Sequence, residues 1–181
     1  MPQYVALLRG INVGGANVIR MTDLADCCSA QGLDDVRTYI ASGNVLFTSP
    51  SGGEAIAGRL ERAFSERFRY SARVVVVRHD ALRKVVRKAP TGFGRRPTQF
   101  RSDVVFIRKP LTARKALAEI PLKDGVDSAW AQNDVLYFQR LVKRVTQSRL
   151  SRVAMLPSYQ NMTIRNWNTT TTLLELMDGR A

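Results

Sequence analysis

The order in which strand-like and helix-like runs follow one another over residues 3 to 78 constrains this chain more than any other feature. Tyr4 to Arg9 is a short apolar run, followed by a glycine-bearing loop, INVGGANVI. The spacing predicts a helix from about Met21 to Gln31, with Thr22 placed to cap its start and Gly32 to end it. Val36 to Ala41 and Val45 to Thr48 are rich in β-formers and flank Ser42, Gly43 and Asn44. That is the composition of a hairpin turn, in which Asn44 tolerates left-handed backbone. Ile56, Leu60, Ala63, Phe64 and Phe68 then recur at helical spacing, with Arg59, Arg62, Glu66 and Arg69 largely on the other side. Arg73 to Arg78 carries four consecutive valines. The order β-α-β-β-α-β defines a ferredoxin-like unit.

Four valines without polar alternation imply a strand covered on both faces, so a further layer must pack against that sheet. The second half supplies elements of its own. A basic helix carries Leu82, Val85, Val86 and Ala89. It precedes a strand over Asp103 to Arg108, a helix over Thr112 to Ile120, and strands over Val126 to Ala131 and Val135 to Arg140 that flank Asn133 and Asp134. A helix near Gln147 to Met155, a β-like MTIRNW and a last helix near Thr170 to Met177 complete the order. The pattern is that of a degenerate second β-α-β-β-α-β unit, although the halves share no obvious repeat. Residues 90 to 101, PTGFGRRPTQFR, have the Pro, Gly and Arg content of a flexible basic loop and mark the expected boundary. The expected fold is α+β: a ferredoxin-like unit over 1–90, with a second, smaller α+β subdomain over 91–181 packed on it.

Three motifs carry a resemblance. LRGINVGG near the start, VRTYIASGNVLF across the hairpin and MTIRNWNTTTTLLEL near the end resemble, in order and over the full length, a bacterial family known as domain-of-unknown-function family 1697. The resemblance implies a two-subdomain α+β protein built around ferredoxin-like units and implies no particular activity. Where many relatives carry a glycine before SKL, LVKRVTQSRLSRV keeps Ser148, Arg149 and Leu150 but lacks the glycine, so a loop relying on its φ freedom must differ here.

Charge narrows the partners. The formal charge is +13, and 17 of the 28 basic residues lie in 58–120 against five of the 15 acidic ones. Such a field attracts phosphates and acidic partners without saying anything about fold. An apolar content of 45% excludes an intrinsically disordered chain. Cys27 and Cys28 are adjacent and form no CxxC pair, which is the usage of small reduced residues in a cytoplasmic protein. MPQYVALLRG has neither the charged n-region nor the long apolar run of a secretory signal, and no stretch approaches a membrane span. Cytoplasmic residence and no membrane partner are therefore expected.

The candidate site residues fall in the three motifs. Arg9, Gly10, Asn12, Gly14 and Gly15 follow a strand, where glycine N–H groups and an arginine can cradle a phosphate or carboxylate, or where glycines can simply turn a β-to-α connection. Ser42 and Asn44 belong to the turn and are explained by it or by a ligand. Thr163, Arg165, Asn166, Trp167 and Asn168 precede a helix that Asn168 or Thr169 can cap, and they supply more polar groups than a cap needs. Trp167 also suits a core or interface plug. No Walker A, GxGxxG, EF-hand, HExxH or GxSxG pattern occurs, so no cofactor and no metal are expected. The single histidine, His79 beside Asp80, suits the surface opening of a helix. SGNVLF offers only Phe47 toward an RNA-recognition platform, which argues against that mode.

The leading expectation is a binding protein for a small anionic ligand, with the three motifs converging on it. An alternative is a nucleic-acid binder acting through phosphate contacts from Arg83, Lys84, Arg87, Lys88, Arg95, Arg96 and Arg101, aided by Arg59, Arg62 and Arg69. A third reading is an enzyme on a small anionic substrate, with Arg9, Asn12 and Arg165 as electrostatic stabilisers.

Overall fold

The computed structural model describes residues 1–15 and 17–179. The chain divides into two compact units, Met1–Leu82 joined by the chain from Leu173 onward, and Arg83–Thr172. The division falls at 82/83, and the loop expected to mark a boundary, 90–101, belongs wholly to the second unit.

The first unit runs β1 (Gln3–Leu8), α1 (Met21–Ala30), β2 (Asp34–Tyr39), β3 (Asn44–Thr48), α2 (Gly53–Phe68) and β4 (Val74–Arg78). Its sheet has the order β2-β3-β1-β4 with every neighbour antiparallel, the arrangement expected of a ferredoxin-like unit. One face packs on the two helices: Tyr4, Ala6 and Leu8 of β1 and Val45 and Phe47 of β3 share a core with Leu24 and Cys28 of α1 and Ile56, Leu60 and Phe64 of α2. On the other face Val5, Leu7, Leu46 and Val77 are also buried, so the central strands β1 and β3 are covered on both sides, whereas the valine run itself is the edge strand β4, with Val74 and Val77 buried and Val75 and Val76 half-buried.

Local details depart from the sequence expectations. Thr22 sits inside α1; Arg20 holds the N-cap position and its guanidinium bonds Asp23 at 2.8 Å. Gly32, at φ +72°, ends the helix as expected. The hairpin turn begins earlier than expected: its left-handed residues are Ile40 and Gly43, while Asn44 already belongs to β3.

The second unit repeats the strand order. β5 (Phe100–Ile107), α4 (Ala113–Glu119), β6 (Asp127–Gln132), β7 (Val135–Leu141) and β8 (Met162–Asn166) form an antiparallel sheet ordered β6-β7-β5-β8. Thr112 caps α4 by accepting from Lys115 N. Asn133 and Asp134, both at positive φ, make the tight two-residue hairpin turn. Where a second long helix is expected, near Gln147 to Met155, the chain instead makes three 3-10 helices, Val142–Gln147, Leu150–Met155 and Pro157–Asn161. Leu150, Val153, Leu156 and Tyr159 recur every third residue, the 3-10 repeat, and all four join the core formed by Val105, Leu136, Phe138 and Met162.

Two helices bridge the division in sequence. α3 (His79–Arg87) begins in the first unit and carries Val85 as a buried contact in the second, and α5 (Trp167–Asp178) begins in the second and ends in the first. Among the described residues, no helix is long and apolar enough to cross a membrane.

Candidate functional site

In the first unit the glycine motif and the hairpin turn form a single bracket. Asn12, at φ +54°, donates its side-chain amide to Ile19 O at 3.0 Å and Ala41 O at 2.8 Å, and its Oδ1 accepts from Ile19 N at 2.8 Å. Asn17 closes the other side by donating to Gly10 O. Leu8 N donates to Gly43 O, and a Cβ on Gly43 would lie 2.7 Å from Ile11 Cδ1 and 2.9 Å from Leu8 Cβ. Glycine is required there by close approach as well as by its φ of +79°. Asn44 is fully buried and donates to Tyr39 O and Ser42 Oγ. Arg9 follows β1 with its backbone N–H held by Arg73 O, and Gly10, Gly14 and Gly15 all take positive φ. The side chains of Asn12 and Asn44 thus serve the local fold, and Asn12, which the enzymatic reading needs as a stabiliser, commits its amide to this loop.

The third motif lies in the second unit and splits into two parts. Thr163 and Arg165 point from the same face of β8 and are buried, the arginine only 7% exposed. Arg165 Nη1 donates to Thr163 Oγ1 at 3.0 Å and to Ile164 O at 2.8 Å, and burial pulls its guanidinium down to about 10. The second part, Asn166, Trp167 and Asn168, opens α5. Asn166 is the cap, its Oδ1 accepting from Thr169 N at 2.7 Å, in place of the expected Asn168 or Thr169.

The loop at 90–101 folds back on this helix start. Phe93 is buried and meets Tyr137, Trp167 and Trp130 edge-on, with ring centroids 5.2, 5.1 and 6.2 Å away. Gly94, at φ +72°, lies against the Trp167 indole so closely that a Cβ would collide with it. Trp167 is therefore part of an aromatic cluster within its own unit. Tyr137 continues the cluster inward, its hydroxyl donating to Val85 O at 2.8 Å, and burial pushes its ionisation upward. Sequence reading missed Phe93 because it lies among Pro, Gly and Arg, although a lone aromatic in a polar loop is a fair signal of a loop with its own core.

Between this loop and the first turn of α5 lies a cleft of about 480 Å3, lined by Gly94, Pro97, Phe100, Arg101, Ser102, Asn166, Trp167, Asn168 and Thr171. Arg101 is 61% exposed and its Nε lies 3.4 Å from Asp103 Oδ2, while Arg140 also binds that buried carboxylate at 2.8 Å. Thr163 and Arg165 do not line the cleft. Of the basic residues singled out from sequence, Lys84, Arg87, Lys88, Arg95, Arg96 and Arg101 are exposed, whereas Arg83 is half-buried. Arg96 stacks over Phe100 at 5.3 Å.

A second anchor escaped the sequence reading. Asp127 is buried and accepts from Ser148 Oγ at 2.6 Å, Arg149 N at 2.8 Å and Lys123 N at 3.0 Å. The SRL segment therefore ties the 3-10 run to β6 through a carboxylate, a fixed attachment that works without a glycine. His79 opens α3 and its Nε2 lies 2.7 Å from Asp178 Oδ1 of α5. Among the described residues, no group of three or more His, Cys, Asp or Glu side chains is placed to hold a metal.

Fold and site together define a two-unit α+β protein built on a pair of four-stranded antiparallel sheets. The chain belongs to the family described as "Protein of unknown function (DUF1697)", whose model matches residues 1–137. The first two motifs fall inside that match, and the segment from Thr163 to Asn168 lies beyond it. The conserved bacterial protein SP0830 from Streptococcus pneumoniae is similar in structure, with a TM-score of 0.80 at 23% identity, over 96% of this chain and 97% of that one. No curated protein matches the chain.

Proposed function

We propose that the protein binds a small, ring-bearing anion in the cleft between residues 94–102 and the start of α5. One observation carries this reading: the basic loop and the N-W-N part of the third motif build one cleft in which Trp167 and Phe100 stand beside Arg101 and Asn168. Its volume falls within the range of small-molecule sites, and apolar rings with a few polar groups are the usual lining of such sites. A ring packs against the aromatic side chains, while the negative group meets the Arg101 guanidinium and the positive end of the α5 dipole. A cytoplasmic setting fits the two buried free thiols, Cys27 and Cys28.

The test is a titration with phenyl phosphate, read by Trp167 emission in a Trp130→Phe background. The expected result is a saturable change that Arg101→Gln weakens about tenfold, the loss of one charge-assisted contact. An emission that stays flat into the millimolar range contradicts the reading.

The exposure of six of the seven predicted cations, all in the second unit, favours one further reading: sequence-blind binding of nucleic acid through phosphates. Anisotropy of a labelled single strand, measured from about 20 to 300 mM salt, should then fall steeply with salt, and the slope should flatten when Lys84, Arg87 and Lys88 are neutralised. Absence of binding at the lowest salt rejects this reading.

A further inference from the structure

The second sheet ends on β6, an edge without the protection that the other sheet edges carry. An outer strand presents unpaired N–H and C=O groups to any extended chain, so proteins blunt it with charge, a bulge or a covering element. β2 carries Asp34, Asp35 and Arg37 and slips register against β3 between Asp34 and Arg37. On β4 the Val74 N–H is taken by Glu61 Oε1 at 2.9 Å, and the strand ends on Arg78. β8 carries Arg165 and runs directly into α5. From Ser128 to Gln132, by contrast, β6 has no charged residue and no proline, and its register with β7 is unbroken.

The hairpin fixes which backbone groups face outward. A two-residue turn makes its flanking residues, Gln132 and Val135, a hydrogen-bonded pair, and such pairs then alternate along the ladder. Gln132, Trp130 and Ser128 therefore bond β7, while Ala129 and Ala131 turn their N–H and C=O groups away from it. Among the described residues nothing bonds those four groups. Asp127, the next outward residue, has its N–H taken by Lys123 O at 2.9 Å, which agrees with the alternation and marks where the open edge stops. The two alanine side chains pack on the core, and Ser128, Trp130 and Gln132 are exposed on the opposite face.

We infer that this edge pairs with β6 of a second copy of the chain, antiparallel about a two-fold axis at Trp130. In that register the four outward groups satisfy one another: Ala129 N–H donates to Ala131 O of the second copy, Ala129 O accepts from Ala131 N–H of the second copy, and the axis repeats both bonds. The two Trp130 side chains become a cross-strand pair at the axis, extending the row begun by Tyr137, which lies opposite Trp130 on β7. Each Ser128 meets Gln132 of the second copy. The seam sets no charge against its like, a condition that few surfaces meet in a chain of formal charge +13. A foreign extended peptide can use the same edge, but this strand is complementary to itself in one register, which favours the second copy. A one-strand seam is a small interface, so the dimer is weak. β6 lines no part of the cleft, so failure of either reading leaves the other standing.

Sedimentation velocity of the full chain from about 5 to 500 μM should show the mass rising from one chain to two and stopping there. Ala131→Pro removes an outward donor without touching the β6–β7 ladder, so it should stay a single chain throughout with unchanged far-UV circular dichroism. Two double variants read the register. Ser128→Lys with Gln132→Lys sets like charges opposite each other and should weaken association about tenfold, whereas Ser128→Lys with Gln132→Glu sets opposite charges across the same seam and should tighten it. The inference is overturned if wild type remains a single chain at the highest concentration, which would leave the edge to a strand from another protein. It is also overturned if Ala131→Pro associates as wild type does, or if the two charged variants associate equally.

Discussion

The two units use one strand order and cover it differently. In the first, helices of 10 and 16 residues lie on one sheet face, and a 16-residue amphipathic helix buries Ile56, Leu60 and Phe64 in regular rows. In the second, a seven-residue helix and three 3-10 turns do the same work, held by the buried carboxylate of Asp127, while an irregular loop centred on Phe93 supplies an aromatic cluster. The lesson is that a sheet fixes where a cover must lie but not what it is made of. In the second unit the irregular loop and the first turn of α5 leave the aromatic cleft between them.

The largest expected effect comes from removing the loop's centre. Phe93→Ala should destabilise the second unit by about 4 kcal/mol, the cost of deleting a buried ring with three aromatic neighbours. Both tryptophans lie in that unit, so fluorescence-detected urea unfolding reads it directly, and an unchanged midpoint would mean that the loop is ornament. Gly94→Ala and Gly43→Ala each force a Cβ into a neighbour at positive φ and should cost about 3 kcal/mol in the second and first unit respectively. Hydrogen exchange, which resolves the units, should show each loss confined to its own sheet.

Asp127→Ala leaves Ser148 Oγ, Lys123 N and Arg149 N without their acceptor and should cost about 2 kcal/mol, with faster exchange over the 3-10 run. The helix starts contrast more weakly. Thr112→Ala removes a cap from α4 at about 1 kcal/mol, while Arg20→Ser, which puts a capping side chain at the start of α1, should gain about 0.5 kcal/mol. The smallest effect at neutral pH is electrostatic. Burial raises the Cys28 thiol to about 12, so the native state favours its neutral form. That contribution is fully present below pH 9, the ordinary value, and is lost as pH rises toward about 12. Cys28→Val should flatten this part of the alkaline loss in urea midpoints measured from pH 8 to 11, and an equal slope in both proteins would contradict it.

The order of elements along both units was legible because short β-rich runs alternate with patterns of helical spacing, but the four valines, read as a strand covered on both faces, form the edge strand β4, where Val75 and Val76 are only half-buried. The Val142–Asn161 stretch was not, although Leu150, Val153, Leu156 and Tyr159 recur every third residue: over so short a window that spacing passes for a helix. The hairpin turn misled for a different reason, since a branched Ile40 at positive φ is a tertiary outcome that no local preference signals. The site was legible in part. Asn166, Trp167, Asn168 and Arg101 were singled out and line one cleft, but Gly94, Pro97, Phe100 and Ser102, which line it with them, carry no motif. Asn12 and Asn44 drew notice for polarity that the local backbone consumes.

The most direct test of the central claim is a nitrogen-15 NMR titration of the full chain with phenyl phosphate. The account predicts saturable shifts confined in the second unit to residues 94–102 and 166–171, with the Trp167 indole N–H moving furthest. Shifts that skip those residues and gather in the 9–15 loop and the 40–44 turn would contradict it.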